Sequence, residues 1–490
     1  MAGYNVAEQQ GDKTMTNSND QPSDSALSRR NFLGLTGAGL AAGVLAACGS
    51  SSKGNAGATT TAAKTGGAST TGAGGATTAA AVAAAASGPN AMKFGGGGKD
   101  GKIKIGFTAP LSGALGGFGE ANAFIVAAMK KLMADGVMLG GKSYAVDLIE
   151  RDVQSNSDTA AAQAGKLITD DKVDLIMAIA TPEMINPVAD QCEASGVPCI
   201  STLAPWQPYF FGRKGDAAKG FDWTYHWFWG ADQLVGVFSN MWKTVGATSV
   251  GLLAPNDPDG NALADAKTGF PAGVTGAGLK LIDPGRFNTG TNDFSAIIGQ
   301  FKSGGADTLV GIPIPPDFST FWKQAKQQGW NPKLVTVAKA VLFPAAVEAL
   351  ADIGDGISSE VWWSPNHPFK SSLTGTSAKE LADQYTKETG KQWTQFVGFV
   401  HSLFEVTLDA LARAGSTDKK AIAAAVGKTS LDTIVGNVSF GKGGVPKNVA
   451  PTSLVGGQWQ KQSNGKFDLV IVENALATNI PLGGKLKVLS

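Results

Sequence analysis

Residues 146–178 read VDLIERDVQSNSDTAAAQAGKLITDDKVDLIMA. Three elements stand in order here. The alternating run ending at Val153 reads as a strand. Residues 157–170 carry apolar residues at helical spacing, and 173–180 form an apolar run without alternation. Such a run suits a parallel strand buried on both faces. The same order continues on both sides. Upstream, 102–109 (KIKIGFTA) reads as a strand and 120–135 as a helix. Downstream, 182–195 reads as a helix with Pro182 in its first turn, and 198–202 as a strand.

A second series follows. Helices are expected over 231–245, 261–270, 293–302, 317–329 and 343–351, and strands over 249–254, 279–283, 307–312 and 333–337. The C-terminal part adds helices at 396–414 and 418–427. A strand–helix period of about 25–30 residues marks βαβ units. Two doubly wound, Rossmann-like α/β lobes are the economical reading. The aromatic stretch 221–229 (FDWTYHWFW) lies between them. Ligands in such folds sit beyond the carboxyl ends of the strands, which for two facing lobes means a cleft between them.

Composition bounds the function. Lys+Arg 41 against Asp+Glu 40 gives a net charge of +1, which argues against a nucleic-acid partner held by a general basic surface. The three cysteines, Cys48, Cys192 and Cys199, and the three histidines, His226, His367 and His401, do not supply the paired ligands of a zinc module. No metal and no cofactor is expected. No stretch of the expected body reaches the ~18–20 unbroken apolar residues of a membrane span.

The front of the chain reads as an address. Residues 28–48 are SRRNFLGLTGAGLAAGVLAAC: Arg29 and Arg30, then an apolar Gly/Ala-rich run, then small residues before Cys48. Ser-Arg-Arg-Asn-Phe-Leu resembles the twin-arginine export motif. Leu45-Ala46-Ala47-Cys48 resembles the lipoprotein cleavage box, which implies a signal peptide over 1–47 and lipidation of Cys48. From Gly49 to Asp100, 41 of 52 residues are Gly, Ala, Ser or Thr. Such composition cannot build a core, so 48–101 is expected to be a flexible tether.

Catalytic patterns are incomplete. Gly427-Lys428-Thr429 resembles the end of a phosphate loop, but residue 422 is Ile where the leading Gly belongs. Gly117-Phe118-Gly119 follows the first strand, but residue 122 is Asn, which breaks the dinucleotide fingerprint. Both read as turns. His226, among aromatics, reads as a packed or hinge residue. Asp257 and Asp259 (NDPDG) can do acid–base work or hold a cation; the simpler reading is an Asx turn capping the next helix. Cys192 and Cys199 flank a helix-to-strand turn, and in an exported protein they can pair as a disulfide.

The body from 102 to about 474 resembles the type I periplasmic binding proteins of ABC importers, nearest the leucine/isoleucine/valine-binding family. The matching stretches are IKIGFTAPLSG at 103–113, the opening stretch at 146–178, GVPCISTLAP at 196–205, FNTGTNDFSAIIGQFKSGGADTLV at 287–310 and TIVGNVSFGKGG at 433–444. The resemblance implies two lobes joined by three crossings. Lobe 1 would take 102–229 plus 362–448, lobe 2 would take 230–361 plus 449–475, and 476–490 would be a C-terminal tail. It places ligand contacts on Phe118, on Thr181 and Pro182, and on Thr202, Leu203, Ala204, Pro205 and Trp206. In lobe 2 it places them on Asp257, Asp259, Ile314 and Lys339.

Departures from the family pattern bear on the ligand. Lys339 stands where amino-acid binders carry an acid that pairs the ligand's ammonium. A cleft-facing lysine would repel an ammonium and attract an anion; the alternative is an exposed lysine at a loop rim. Pro182 offers no N–H, and Trp206 offers a stacking face. The resemblance therefore implies a non-enzymatic, monomeric receptor. It would hold an amino-acid-like, amide or carboxylate solute, face the periplasm or cell exterior, and work with the membrane permease subunits of an ABC importer. A sensor on the same fold and an exported lipoprotein enzyme using Asp257 and Asp259 are the alternatives.

Overall fold

A computed structural model describes residues 89–489. The twin-arginine motif, Cys48 and the tether up to residue 88 lie outside the described residues. The strands, in chain order, begin with β1 (Lys102–Ala109), β2 (Val137–Leu139), β3 (Lys142–Asp152), β4 (Leu175–Ile179), β5 (Cys199–Thr202) and β6 (Thr224–Trp227). They continue with β7 (Ser249–Pro255), β8 (Lys280–Ile282), β9 (Arg286–Phe287), β10 (Thr308–Gly311), β11 (Leu334–Val337) and β12 (Ser358–Val361). The last are β13 (Ser430–Thr433), β14 (Gly436–Ser439), β15 (Val449–Ala450), β16 (Val455–Lys461) and β17 (Phe467–Glu473).

These strands make two large sheets. The first runs β15-β6-β5-β4-β1-β3-β2, with β1 parallel to both β3 and β4. The second runs β17-β16-β12-β11-β10-β7-β8, parallel through its centre and closed by the antiparallel β16–β17 hairpin. Two lobes of parallel sheet with helices are thus present, as the βαβ period implies. Local chemistry explains the units. The helix Ser157–Thr169 is capped by Asn156, whose side chain accepts from Thr159 N at 2.8 Å, and it buries Ala160, Ala164 and Leu167. Strand β4 (LIMAI) is buried throughout, as its unbroken apolar run requires. The helix Pro182–Ser195 starts on a proline and ends at Gly196, whose φ of 65° suits a left-handed C-cap.

Five sequence expectations change. Residues 89–101 pack on lobe 1 instead of belonging to a free tether. Asn90 Nδ2 donates to Ser372 Oγ and Glu405 O, each at 3.1 Å, Ala91 N donates to Asp409 Oδ1 at 3.0 Å, and Met92 is buried. Low complexity ends at Pro89, and the polar and apolar side chains that follow find partners on the helix Gln395–Ala414. The expected helix 261–270 is two short ones, Pro258–Leu263 and Phe270–Gly276. Asp265 Oδ1 accepts from Lys267 N, Thr268 N and Thr268 Oγ1, an Asx turn that competes with the helix. The aromatic stretch 221–229 is not all linker, because Thr224–Trp227 forms the buried strand β6. At the third crossing, Val449 and Ala450 pair with His226 and Trp227, so lobe 1 extends past residue 448. The tail beyond 475 is also held: Gly483 N donates to Ile471 O and Leu489 N to Lys333 O, each at 2.9 Å.

Candidate functional site

The carboxyl ends of the central strands of both sheets meet at a narrow inner chamber. Lobe 1 contributes Phe118, Thr181, Leu203 and Pro205; lobe 2 contributes Asp259, Ile312, Lys339 and Leu342. The crossings add Phe228, Trp229, Glu360 and Trp362. A second, roomier and more open chamber adjoins it and shares Thr181 and Lys339. Its wall is more polar and includes Ser155, Asn156, Glu183, Asp257 and Thr289.

Strand ends aim these side chains. Ala180, Leu203 and Lys339, which follow β4, β5 and β11, have φ of 125°, 80° and 66°. Left-handed backbone at non-glycine residues is costly, and such strain gathers at binding sites. Phe118 sits in a short turn of 3₁₀ helix and is buried edge-on to Phe343 and Phe396, at ring distances of 5.7 and 5.0 Å. Thr181 is the N-cap of its helix but makes no capping bond, and its Oγ1 has no partner among the described residues.

The charged core of the cleft is a triad. Lys339 Nζ lies 3.1 Å from Asp257 Oδ2 and 3.0 Å from Asp259 Oδ2. Lys339 is 5% exposed and Asp259 1% exposed, so neither is a rim residue. Asp257 still caps its helix, accepting from Gly260 N at 2.6 Å, so the turn and the charged role coexist. Burial disfavours the Lys339 ammonium, but Asp259, Asp257 and Glu183 outweigh it and raise its pKa. Burial pushes the Asp259 carboxyl above its usual range, against the pull of Lys339. The expectation that Lys339 offers a free ammonium is therefore corrected: two carboxylates already hold it.

Glu360 is a second buried acid. Its Oε1 accepts from Lys339 N at 2.9 Å, which fixes the left-handed turn, and its Oε2 lies 2.6 Å from Ser359 Oγ. Ser359 Oγ also lies 2.9 Å from the Val337 carbonyl, which can only accept. One hydroxyl proton cannot serve both oxygens. The consistent assignment has Ser359 donate to Val337 O and a protonated Glu360 donate to Ser359. Burial, pushing the Glu360 carboxyl up to about 7, agrees with that assignment.

Other expected residues have structural roles. Thr202 Oγ1 donates to Trp227 O at 2.7 Å. The Ala204 carbonyl accepts from His226 Nε2 at 2.7 Å, so His226 Nδ1 accepts from Ser201 Oγ at 3.0 Å. His226 stacks on Tyr209 at 4.2 Å, and burial holds its pKa down to about 3. Pro182 and Trp206 line neither chamber, whereas Ile314 lines the outer one. Cys192 and Cys199 are both buried free thiols, not a disulfide. Sequence reasoning missed Phe228, Trp229, Ile312, Leu342, Glu360 and Trp362 as lining residues.

Comparison with known proteins now bears on this cleft. Residues 102–462 match the family model described as periplasmic binding protein. The chain belongs to that family. This periplasmic binding protein resembles proteins of the leucine/isoleucine/valine-binding type. It is 23% identical over 359 residues to the Leu/Ile/Val-binding protein homolog 3 of Brucella melitensis, covering 70% of this chain and 88% of that one. Its fold is similar to the leucine binding protein LivK of Thermotoga maritima, with a TM-score of 0.63 and 21% identity over 76% of this chain and 99% of that chain. A solute binding protein of an ABC transporter from Rhodopseudomonas palustris, solved with 3,4-dihydroxy benzoic acid, is similar at a TM-score of 0.62. It shows 18% identity, over 76% of this chain and 96% of that one. Among the described residues, no helix is long and apolar enough to cross a membrane.

Proposed function

We propose that this periplasmic binding protein is the extracytoplasmic solute receptor of an ABC importer. Cys48 carries the lipid anchor, and the monomer delivers its solute to the membrane permease. The observation that supports this most directly is the inner chamber, walled by both lobes and by the crossings between them. A ligand there touches both lobes and so favours their closed arrangement, a shape that a permease can read. The apolar and aromatic wall suits a small organic solute with a branched or ring-bearing body, held by a few polar groups. Binding, not turnover, is the activity: Asp257 and Asp259 face an ammonium, and His226 is enclosed and neutral.

The test is a thermal-shift screen of the full chain against amino acids, amides, amines and carboxylates. A solute at 100 times its Kd stabilises by about 2.7 kcal/mol. Every hit is repeated on Leu342→Trp, which fills the inner chamber. Hits lost in that variant support the reading, and hits that survive it place the binding elsewhere and overturn it.

A further inference from the structure

Resting on that reading, the geometry points to a solute that is an organic cation: a protonated amine with apolar substituents and no carboxylate of its own. The charges around the chamber carry this first. Lys339 is the cation of the cluster, and both of its ion-pair contacts go to Asp257 and Asp259. Glu183, at the outer chamber, adds a third carboxylate close enough to act electrostatically on Lys339 and Asp259. One ammonium faces three acids, even with Glu360 counted as neutral.

Two carboxylate oxygens are unused as well. Asp259 Oδ1, on a residue 1% exposed in the chamber wall, has no hydrogen-bond partner among the described residues. Neither has Glu183 Oε2. An unpaired buried acceptor is costly, and an N–H donor bearing positive charge is its strongest partner. The remaining wall suits the rest of such a solute. Phe118, Phe228, Trp229 and Trp362 line the same chamber, and aromatic faces attract ammonium groups and their alkyl substituents.

A solute carboxylate finds little here. Pro182 and Pro205 have no N–H, Thr202 Oγ1 is bonded to Trp227 O, and Lys339 is already paired. The unpartnered hydroxyl of Thr181 and the unpartnered Nε1 groups of Trp229 and Trp362 are neutral donors. They accept a hydroxyl or carbonyl oxygen as readily as a carboxylate and do not set the sign of the charge.

Matched sets on one carbon body test this with the full chain. The first set is 3-methylbutylamine, L-leucine and 4-methylpentanoate; the second is phenethylamine, L-phenylalanine and 3-phenylpropionate. Dissociation constants come from calorimetry, on the wild type and on Asp259→Asn, Glu183→Gln and Leu342→Trp. Each amine is expected to bind at least about tenfold more tightly than its amino acid and acid partners. Glu183→Gln, which leaves the Lys339 triad in place, is expected to weaken the amine severalfold, and Asp259→Asn more. An amino acid or acid that matches its amine overturns the inference and leaves the receptor reading standing. Failure of both amines to bind also overturns it. Amine binding that survives Leu342→Trp lies outside the cleft and overturns both readings.

Discussion

Replacing Lys339 with methionine keeps the length of the side chain and removes the charge that Asp259 depends on. The cost can be worked from burial. Asp259 is 1% exposed, so without its partner it cannot recover hydration as an anion. Its escape is protonation, which limits the loss. In the unfolded chain an aspartate titrates near 3.9, so holding it fully protonated costs about 4 kcal/mol at pH 7 and about 1.5 kcal/mol at pH 5; burial already raises Asp259 in the wild type, so these are upper bounds on the loss. The pH 7 figure agrees with the roughly 3–5 kcal/mol seen when one partner of a buried pair is removed. Urea unfolding of the full chain, followed by far-ultraviolet circular dichroism at both pH values, measures this. Lys339→Met is expected to lose most at pH 7 and to recover more than half of the loss at pH 5. A deficit below about 1 kcal/mol at pH 7, or one that does not change with pH, would refute the idea that Lys339 holds a buried Asp259 carboxylate.

Two further outcomes follow from the same reasoning. Glu360 titrates up to about 7 in the fold against an ordinary 4.5, so the folded state favours its protonated form and stability falls as pH rises from about 4.5 through 7. Glu360→Gln, which keeps a donor toward Ser359, is expected to match wild type near pH 4 and to exceed it by up to about 3 kcal/mol at pH 8, read from urea midpoints. The thiols of Cys192 and Cys199 are both buried, and burial drives that of Cys192 well above its usual range. Both are expected to resist a thiol reagent in the folded protein and to react in denaturant without any reductant; failure to react in denaturant would show a disulfide.

Local pattern made much of the fold legible. Strand β4 could be read from five apolar residues and the helix Pro182–Ser195 from its starting proline, because each element's own residues determine it. Strand β16 (VGGQWQK) gave no such signal, because its glycines and glutamines are buried by contacts with β12 and β17. The cleft was partly legible. Phe118, Thr181, Leu203 and Pro205 follow strand ends, where the fold class places ligand contacts. Thr202 and Ala204 follow the same rule, yet β6 and His226 take their polar atoms. Lys339 reaches Asp257 across 82 residues of sequence, so its charge looked free until the fold closed the gap. Glu360 and Trp362 lie at the second crossing, where no periodicity marks a side chain as facing the ligand.

The clamp at Asn90 and Ala91 has a mechanical consequence. It fastens the incoming chain to Ser372, Glu405 and Asp409, all within lobe 1. A pull applied at residue 90 would therefore enter the molecule through lobe 1. None of these three contacts reaches lobe 2, so the attachment leaves that lobe unencumbered.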